Sequence, residues 1–314
     1  MTVIPAPADH APTSLVRHGA ATTPRDPVWS RLTMSRRKWR FYRDEPGFMA
    51  AHACLLAEFG IPVIDALQRH AIALMKPEAW LEQLFPRVEH FLARNGFQIV
   101  ELFRTELSPV VSREIWRYSW NVGPVERVEV SELILGLGPT YGLLLRDTRP
   151  SDEIASAVRL ARLKGPALPE RQGPGHLRYE LGAPNRIVSY VHIPDEPADI
   201  IRDLSLLLGR REMLRVLSRT LEPPLAPLAI DLDALDDVAQ IDDTRPPAAP
   251  IGTPFDALVR RIQCMGTVLA KCVADDGRYH IPRALWRHVI DLCTDVAALP
   301  TFGKKRLEPL ANIG

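Results

Sequence analysis

IVSYVHIPDEPADIIRDL, residues 187–204, changes character halfway along. Its first part, rich in β-branched and aromatic residues, predicts a strand, and a helix through Ala198–Leu208 is expected after the prolines. His192 sits where the strand gives way, with Asp195, Glu196 and Asp199 following closely. A histidine in that position is either a working group or an ordinary strand-end polar residue bonded to a nearby carboxylate. The choice depends on what the rest of the chain brings beside it.

Elements of both kinds alternate before it. HAIALMKP (His70–Pro77) predicts a short apolar strand stopped by proline. WLEQLFPRVEHFLARNG (Trp80–Gly96) places Leu81, Leu84, Phe85, Val88, Phe91 and Leu92 on one helical face, with Asn95-Gly96 as a C-cap. FQIVELFRTEL (Phe97–Leu107) is β-like, and PVVSREIWRYSW predicts a short helix. SELILGLGPTYGLLLRD (Ser131–Asp147) reads as two strand pieces around Gly-Leu-Gly-Pro, or as a strand reached by a short helix. Asp152–Gly165 predicts a helix and Pro166–Gly175 a loop. The order is β-α-β-α-β-α-loop-β-α, which favours an α+β or α/β sandwich.

The flanks differ. Residues 1–28 are rich in Pro, Ala and Thr and predict a mobile tail. Residues 29–69 form an expected helical extension: SRRKWRFYR (35–43) suits a solvated face or a docking segment, and PGFMAAHACLLAEFG suits one helix ended by Gly60. Residues 70–210 hold the alternating core. Residues 211–254 are expected as an acidic, proline-rich linker or wrapping arm. Its Asp231, Asp233, Asp236 and Asp237 lack the glycine and terminal glutamate of a calcium loop. Residues 255–314 predict a helical unit opened by Thr253 as N-cap and Pro254 at N1, with a second helix from Pro282 to Ala298.

Bulk properties exclude several classes. The 314 residues carry a net charge of +1, so no global field draws the chain to nucleic acid or to an anionic membrane. No apolar run approaches the ~18 residues of a spanning helix, and MTVIPAPADHAPT lacks the core of a signal peptide. The four cysteines form no CxxC and no zinc-like spacing, as expected of reduced thiols in a cytoplasmic protein.

Phosphate chemistry needs cations converging from distant parts of a chain, because each phosphate oxygen wants a donor. Lys76 at a strand end, Arg162 and Lys164 at a helix end, and Arg178 after a Pro-Gly turn are candidates. In order, ALMKPEAW, NGFQIVEL, SREIW, LGLGPTYGLLLRD, KGPALPERQGPGHLRYELG and SYVHIPDEPADIIRDL resemble successive motifs of the nucleoside diphosphate kinases, over residues 70–210.

That resemblance implies a ferredoxin-like α/β sandwich with an added N-terminal segment and C-terminal helices. It also implies a phosphotransferase that passes the γ-phosphoryl group of ATP or another nucleoside triphosphate through a histidine, with Mg2+. Position by position, it makes His192 the phosphorylated histidine, Asp203 the carboxylate that orients it, and Lys76 and Arg178 phosphate ligands. Trp116 matches a tyrosine near the nucleotide. The chain departs from the pattern at Ser189, where the family has asparagine, and at Ala167, where it has threonine. Ala161 replaces an arginine that the adjacent Arg162 could stand in for. Ile193-Pro194 replaces Gly-Ser, and one residue is inserted before His192. The expected partners are a nucleotide, an unassigned acceptor and further copies of the chain, with no membrane and no nucleic acid. The alternative is a catalytically degenerate nucleotide-binding or interaction module of the same fold.

Overall fold

HAIALM is apolar without alternation because its strand is covered on both faces: all six residues of β1 (His70–Met75) are buried. The structure, a computed structural model, describes residues 27–120, 123–223, 226, 228–232, 234–235, 237–244 and 258–300. β1 lies inside a four-stranded antiparallel sheet with β2 (Phe97–Thr105), β3 (Thr140–Asp147) and β4 (Val191–His192), in the order β2-β3-β1-β4. On one side β1 pairs with β3, from His70 opposite Arg146 to Met75 opposite Tyr141. On the other side it pairs with β4, Leu74 opposite His192 and Met75 opposite Val191. This register brings His192 beside the end of β1, where Lys76 follows. β2 runs antiparallel to β3 with a bulge between Ile99 and Glu101. Gly142 of β3 is required by Phe103 across the pair: a Cβ there would come within 2.0 Å of the ring.

The chain enters through α1 (Pro27–Leu32), α2 (Arg36–Tyr42), α3 (Pro46–Phe59) and α4 (Pro62–Leu67). Gly60 ends α3 with φ 65°, as its place in the sequence predicts. The single helix expected over Trp80–Gly96 is two, α5 (Pro77–Leu81) and α6 (Phe85–Arg94). Gln83 between them is left-handed at φ 55°, and Pro86 occupies the first turn of α6, where its missing N–H costs nothing. The segment expected as one short helix after β2 is also two, α7 (Pro109–Ile115) and α8 (Arg117–Trp120). The ambiguous stretch before β3 resolves as a helix, α9 (Val125–Leu135), leading into a strand.

Between β3 and β4 lie α10 (Ser156–Lys164), a 3₁₀ turn at Pro169–Arg171 and α11 (Leu177–Leu181). The strand expected from Ile187 is only the two residues of β4. Ahead of it the backbone curls: the Ser189 N–H donates to Ile187 O at 3.0 Å and the Val191 N–H to Ser189 O at 2.7 Å. Tyr190 is left-handed at φ 62°. After β4 come α12 (Pro197–Leu207) and α13 (Arg210–Ser218). The stretch expected as linker from residue 211 thus begins as a helix, with Met213, Val216 and Leu217 in the core.

The N-terminal helices dock on α12 through polar groups. Lys38 and Tyr42 each donate to Asp199 at 2.6 Å. Arg202, 1% exposed, meets Glu45 in a forked pair at 2.9–3.1 Å and donates to the carbonyls of Glu114 and Ile115. Tyr42 and Tyr118 rings lie 5.4 and 5.5 Å from its guanidinium carbon.

Past α13, Asp237 accepts from Tyr141 and Arg104, and β5 (Gln240–Ile241) pairs in parallel with β6 (His280–Ile281). α14 (Leu258–Ala270) and α15 (Arg283–Ala297) both pack on α9. One hydrophobic cluster runs from Trp29 of α1 to Val296 of α15, so these helices share the core of the sheet. The expected tail apart from Pro27 and Val28, the Thr253-Pro254 cap, Asp233 and Asp236 lie outside the described residues.

Candidate active site

The β1–β4 pairing and the turn after α11 create a cavity of about 200 Å³, walled by Lys76, Trp116, Ala167, Arg178, Ser189 and His192 among others. Five of the seven residues singled out from sequence therefore line one space. Asp203 stands directly behind: the His192 Nε2 lies 2.8 Å from its Oδ2. A carboxylate accepts only, so in the neutral imidazole this nitrogen carries the proton and Nδ1 holds the lone pair. Among the described residues Nδ1 has no hydrogen-bond partner. The side chain is 18% exposed, and Trp116 meets the ring edge-on with centroids 5.3 Å apart.

Arg162 is the exception. It is exposed in the last turn of α10 and does not line the cavity, so it does not stand in for the arginine replaced by Ala161. Its neighbour Lys164 turns inward but donates to Ile193 O at 2.7 Å and to Asp195 at 2.9 Å. His176 accepts from the Gly173 N–H and shapes the proline-rich loop.

The two matched cations are held by the protein itself. Lys76 Nζ lies 2.5 Å from the Glu78 carboxylate and donates to Ile187 O at 3.0 Å. Burial lowers its pKa against the pull of Glu78. Arg178 donates to Gly165 O and to Val191 O, both at 3.0 Å, which clamps the residue preceding His192. Its Nε is buried without a partner, and burial lowers its pKa to about 10. Glu78 reaches the Tyr190 N–H at 3.3 Å, so the same carboxylate that holds Lys76 also holds the left-handed turn before β4.

Sequence reasoning missed four wall or support residues. Glu78 is the acid of the ALMKPEAW motif at the end of β1, where the sequence gives it no role. Trp120 stacks on Trp116 with ring centroids 5.1 Å apart and also lines the cavity. Arg127 and Arg186 line it as well, and neither belongs to a recognisable motif. No carboxylate is among the lining residues, so the wall is a cationic surface with an aromatic and aliphatic side. Among the described residues no group of three or more His, Cys, Asp or Glu side chains could hold a metal ion. No described helix is long and apolar enough to cross a membrane.

A roomier cleft of about 1020 Å³ lies at the other end of β1, bordered by His70, Arg146, Asp147 and Asp65. Some of its charged groups are engaged with the protein, Asp65 with Arg31, and Asp147 with Arg159 and Ser156, while Arg69, Asp152 and Glu153 also line it. Size alone does not make it the better candidate: Asp65, Asp147, Asp152 and Glu153 share its wall with Arg31, Arg69 and Arg146, so it offers no surface of one sign to an anion.

No family model matches the sequence, and no curated protein does. Three solved nucleoside diphosphate kinases are similar in structure. That from Aquifex aeolicus is 20% identical with a TM-score of 0.35, covering 44% of this chain and 93% of that one. That from Encephalitozoon cuniculi is 17% identical at 0.37, covering 45% and 89%. That from Halobacterium salinarum, in complex with CDP, is 15% identical at 0.37, covering 45% and 87%. These are distant, partial likenesses of shape, and no residue role follows from them.

Proposed function

We propose that the cavity beside His192 receives the phosphate end of a nucleoside triphosphate and that His192 takes its γ-phosphoryl group. The chain would then be a divergent phosphotransferase of the nucleoside diphosphate kinase type, with its final acceptor unassigned. In this reading the sheet order and connections are those of a ferredoxin-like sandwich, extended by the N-terminal and C-terminal helices.

One observation carries the reading: an imidazole with one nitrogen on a carboxylate and the other unpartnered, on the wall of a cation-lined cavity. The Nδ1 lone pair attacks the γ-phosphorus, the bond to the bridging oxygen breaks, and the diphosphate leaves with that electron pair. Asp203 keeps the Nε2 proton in place and offsets the positive charge growing on the ring. An acceptor oxygen then displaces Nδ1 from phosphorus and restores the neutral imidazole. Arg178 fixes the backbone before His192 and adds positive charge at the leaving phosphates. Trp116 and Trp120, stacked on one another, line the same cavity and would supply an apolar side for the nucleoside. The wall residues do not suit a protein-held magnesium ion, since none is a carboxylate; magnesium would enter as a cation carried by the substrate phosphates.

The test is incubation of the full chain with γ-labelled ATP and magnesium. The expected product is an acid-labile, base-stable phosphoprotein that is lost in His192→Ala and kept in His176→Ala. A nucleotide-binding module without transfer is the second reading. It is favoured by the engagement of Lys76 with Glu78 and by Ala167 at a wall position where a hydroxyl was expected. No label together with calorimetric nucleotide binding would select it.

A further inference from the structure

The cavity's cations differ in how far the protein already satisfies them. Lys76 has its carboxylate, and both Arg178 Nη groups are on carbonyls. Arg186, half-buried just after Asn185, lines the wall and makes no hydrogen bond or ion pair among the described residues. Its backbone is held firmly: Asn185 Oδ1 accepts from the N–H groups of Ile187 and Val188 at 2.9 and 2.8 Å. Asn185 also donates to Thr294 of α15 at 3.1 Å.

Arg127, on α9, is 6% exposed and lines the same wall. One Nη donates to Ala297 O at 3.3 Å and to Leu299 O, while its Nε is buried without a partner. Burial and then the charge of Arg186 lower its pKa to about 10, so the two guanidiniums feel one another. Two like charges share one wall, with one buried donor left unpartnered and no lining carboxylate. Such an arrangement is costly unless an anion completes it. At about 200 Å³ the cavity is smaller than the ~300–1,000 Å³ that encloses a drug-sized ligand, which suits a compact polyanion with the remainder outside.

We propose that Arg127 and Arg186 form a second anion subsite, which takes a phosphate of a phosphoanhydride chain further from His192 than the group to be transferred. This rests on the phosphotransfer reading of the same cavity but uses residues that belong to none of the resembling motifs. It makes Arg186, not Lys76, the cation whose loss most weakens polyphosphate binding.

The experiment is calorimetry on the full chain with inorganic tripolyphosphate and with ATP, for the wild type, Arg186→Gln and Arg186→Lys. Arg186→Gln should weaken binding at least tenfold and flatten its salt dependence, with a melting temperature that is unchanged or higher, since one of two like charges is removed. Arg186→Lys should recover part of the loss. Comparable wild-type affinity for both probes assigns recognition to the phosphates alone; binding of ATP only assigns the chain to a nucleotide. Either result supports the subsite if Arg186→Gln is weakened. If Arg186→Gln binds as well as the wild type, the subsite is wrong and the nucleotide reading survives. If the wild type binds neither probe, both fall together.

Discussion

The two ends of β1 carry similar side chains in opposite states. At its start, Asp147 takes Arg159 Nε at 2.8 Å, Ser156 at 2.9 Å and the Arg149 N–H at 2.8 Å. His70 there is 4% exposed, lies 2.8 Å from Ala66 O through Nδ1, and is lowered by burial to a pKa of about 4. At its finish, His192 keeps partial exposure and a free Nδ1, and the wall beside it holds more cations than carboxylates. Groups that complete one another inside the protein stabilise a fold, whereas cations left incomplete beside an open imidazole are available to a ligand. The larger cleft sits at the first end, where carboxylates and arginines share the wall, so volume and chemistry point to different places.

The comparison can be broken most directly at His192. His192→Ala should remove phosphoprotein label entirely, while the matching change at the other end, His70→Asn, should leave label intact; autoradiography after γ-labelled ATP decides it. Asp203→Asn comes next. It keeps the shape but removes the charge behind the ring, and should slow labelling on the order of 10²-fold in a quenched time course.

Arg202→Ala tests the frame that positions α12 and hence Asp203. Leaving Glu45 buried and unpaired should cost about 3–5 kcal/mol in urea unfolding. A loss under 1 kcal/mol would mean that Arg202 does not join α3, α7 and α12.

His70 makes the start of β1 sensitive to pH. Its folded pKa of about 4 lies below the ordinary 6.5, so the unfolded chain binds the proton first as pH falls. The contribution is whole above about pH 6.5 and is lost progressively toward pH 4, by up to about 3 kcal/mol. Denaturant titrations at several pH values should show that slope in the wild type and lose it in His70→Asn. The smallest effect belongs to Arg162→Ala. An exposed arginine with no place in the cavity should change stability by less than about 0.5 kcal/mol and leave nucleotide affinity as it was.

Much of this arrangement is legible along the chain. The unbroken apolar run of β1 announces a strand buried on both faces, and Gly60 and Gly165 mark helix ends where they occur. His192 and Lys76 stand out at strand ends and Arg178 after a Pro-Gly turn, whereas Asp203, inside a helix, is singled out only by the resemblance to the nucleoside diphosphate kinases. Arg127 and Arg186 do not stand out, since an arginine inside a helix or after an asparagine is ordinary in sequence. The break between α5 and α6 was missed because the apolar face continues across it, while Gln83 alone turns the backbone. β4 was overestimated because β-branched residues at 187–191 suit a strand, yet Asn185, Glu78 and successive local turns hold them otherwise.

Sequence alone determined the alternation of strands and helices, the buried centre of the sheet and the histidine at its edge, because periodicity and turn chemistry are local properties. Tertiary structure alone decided which cations are satisfied and which are open. Charge pairing depends on contacts such as Lys76 with Glu78, Arg178 with Val191 and Arg127 with the end of α15, and the last two join segments that only the folded chain brings together.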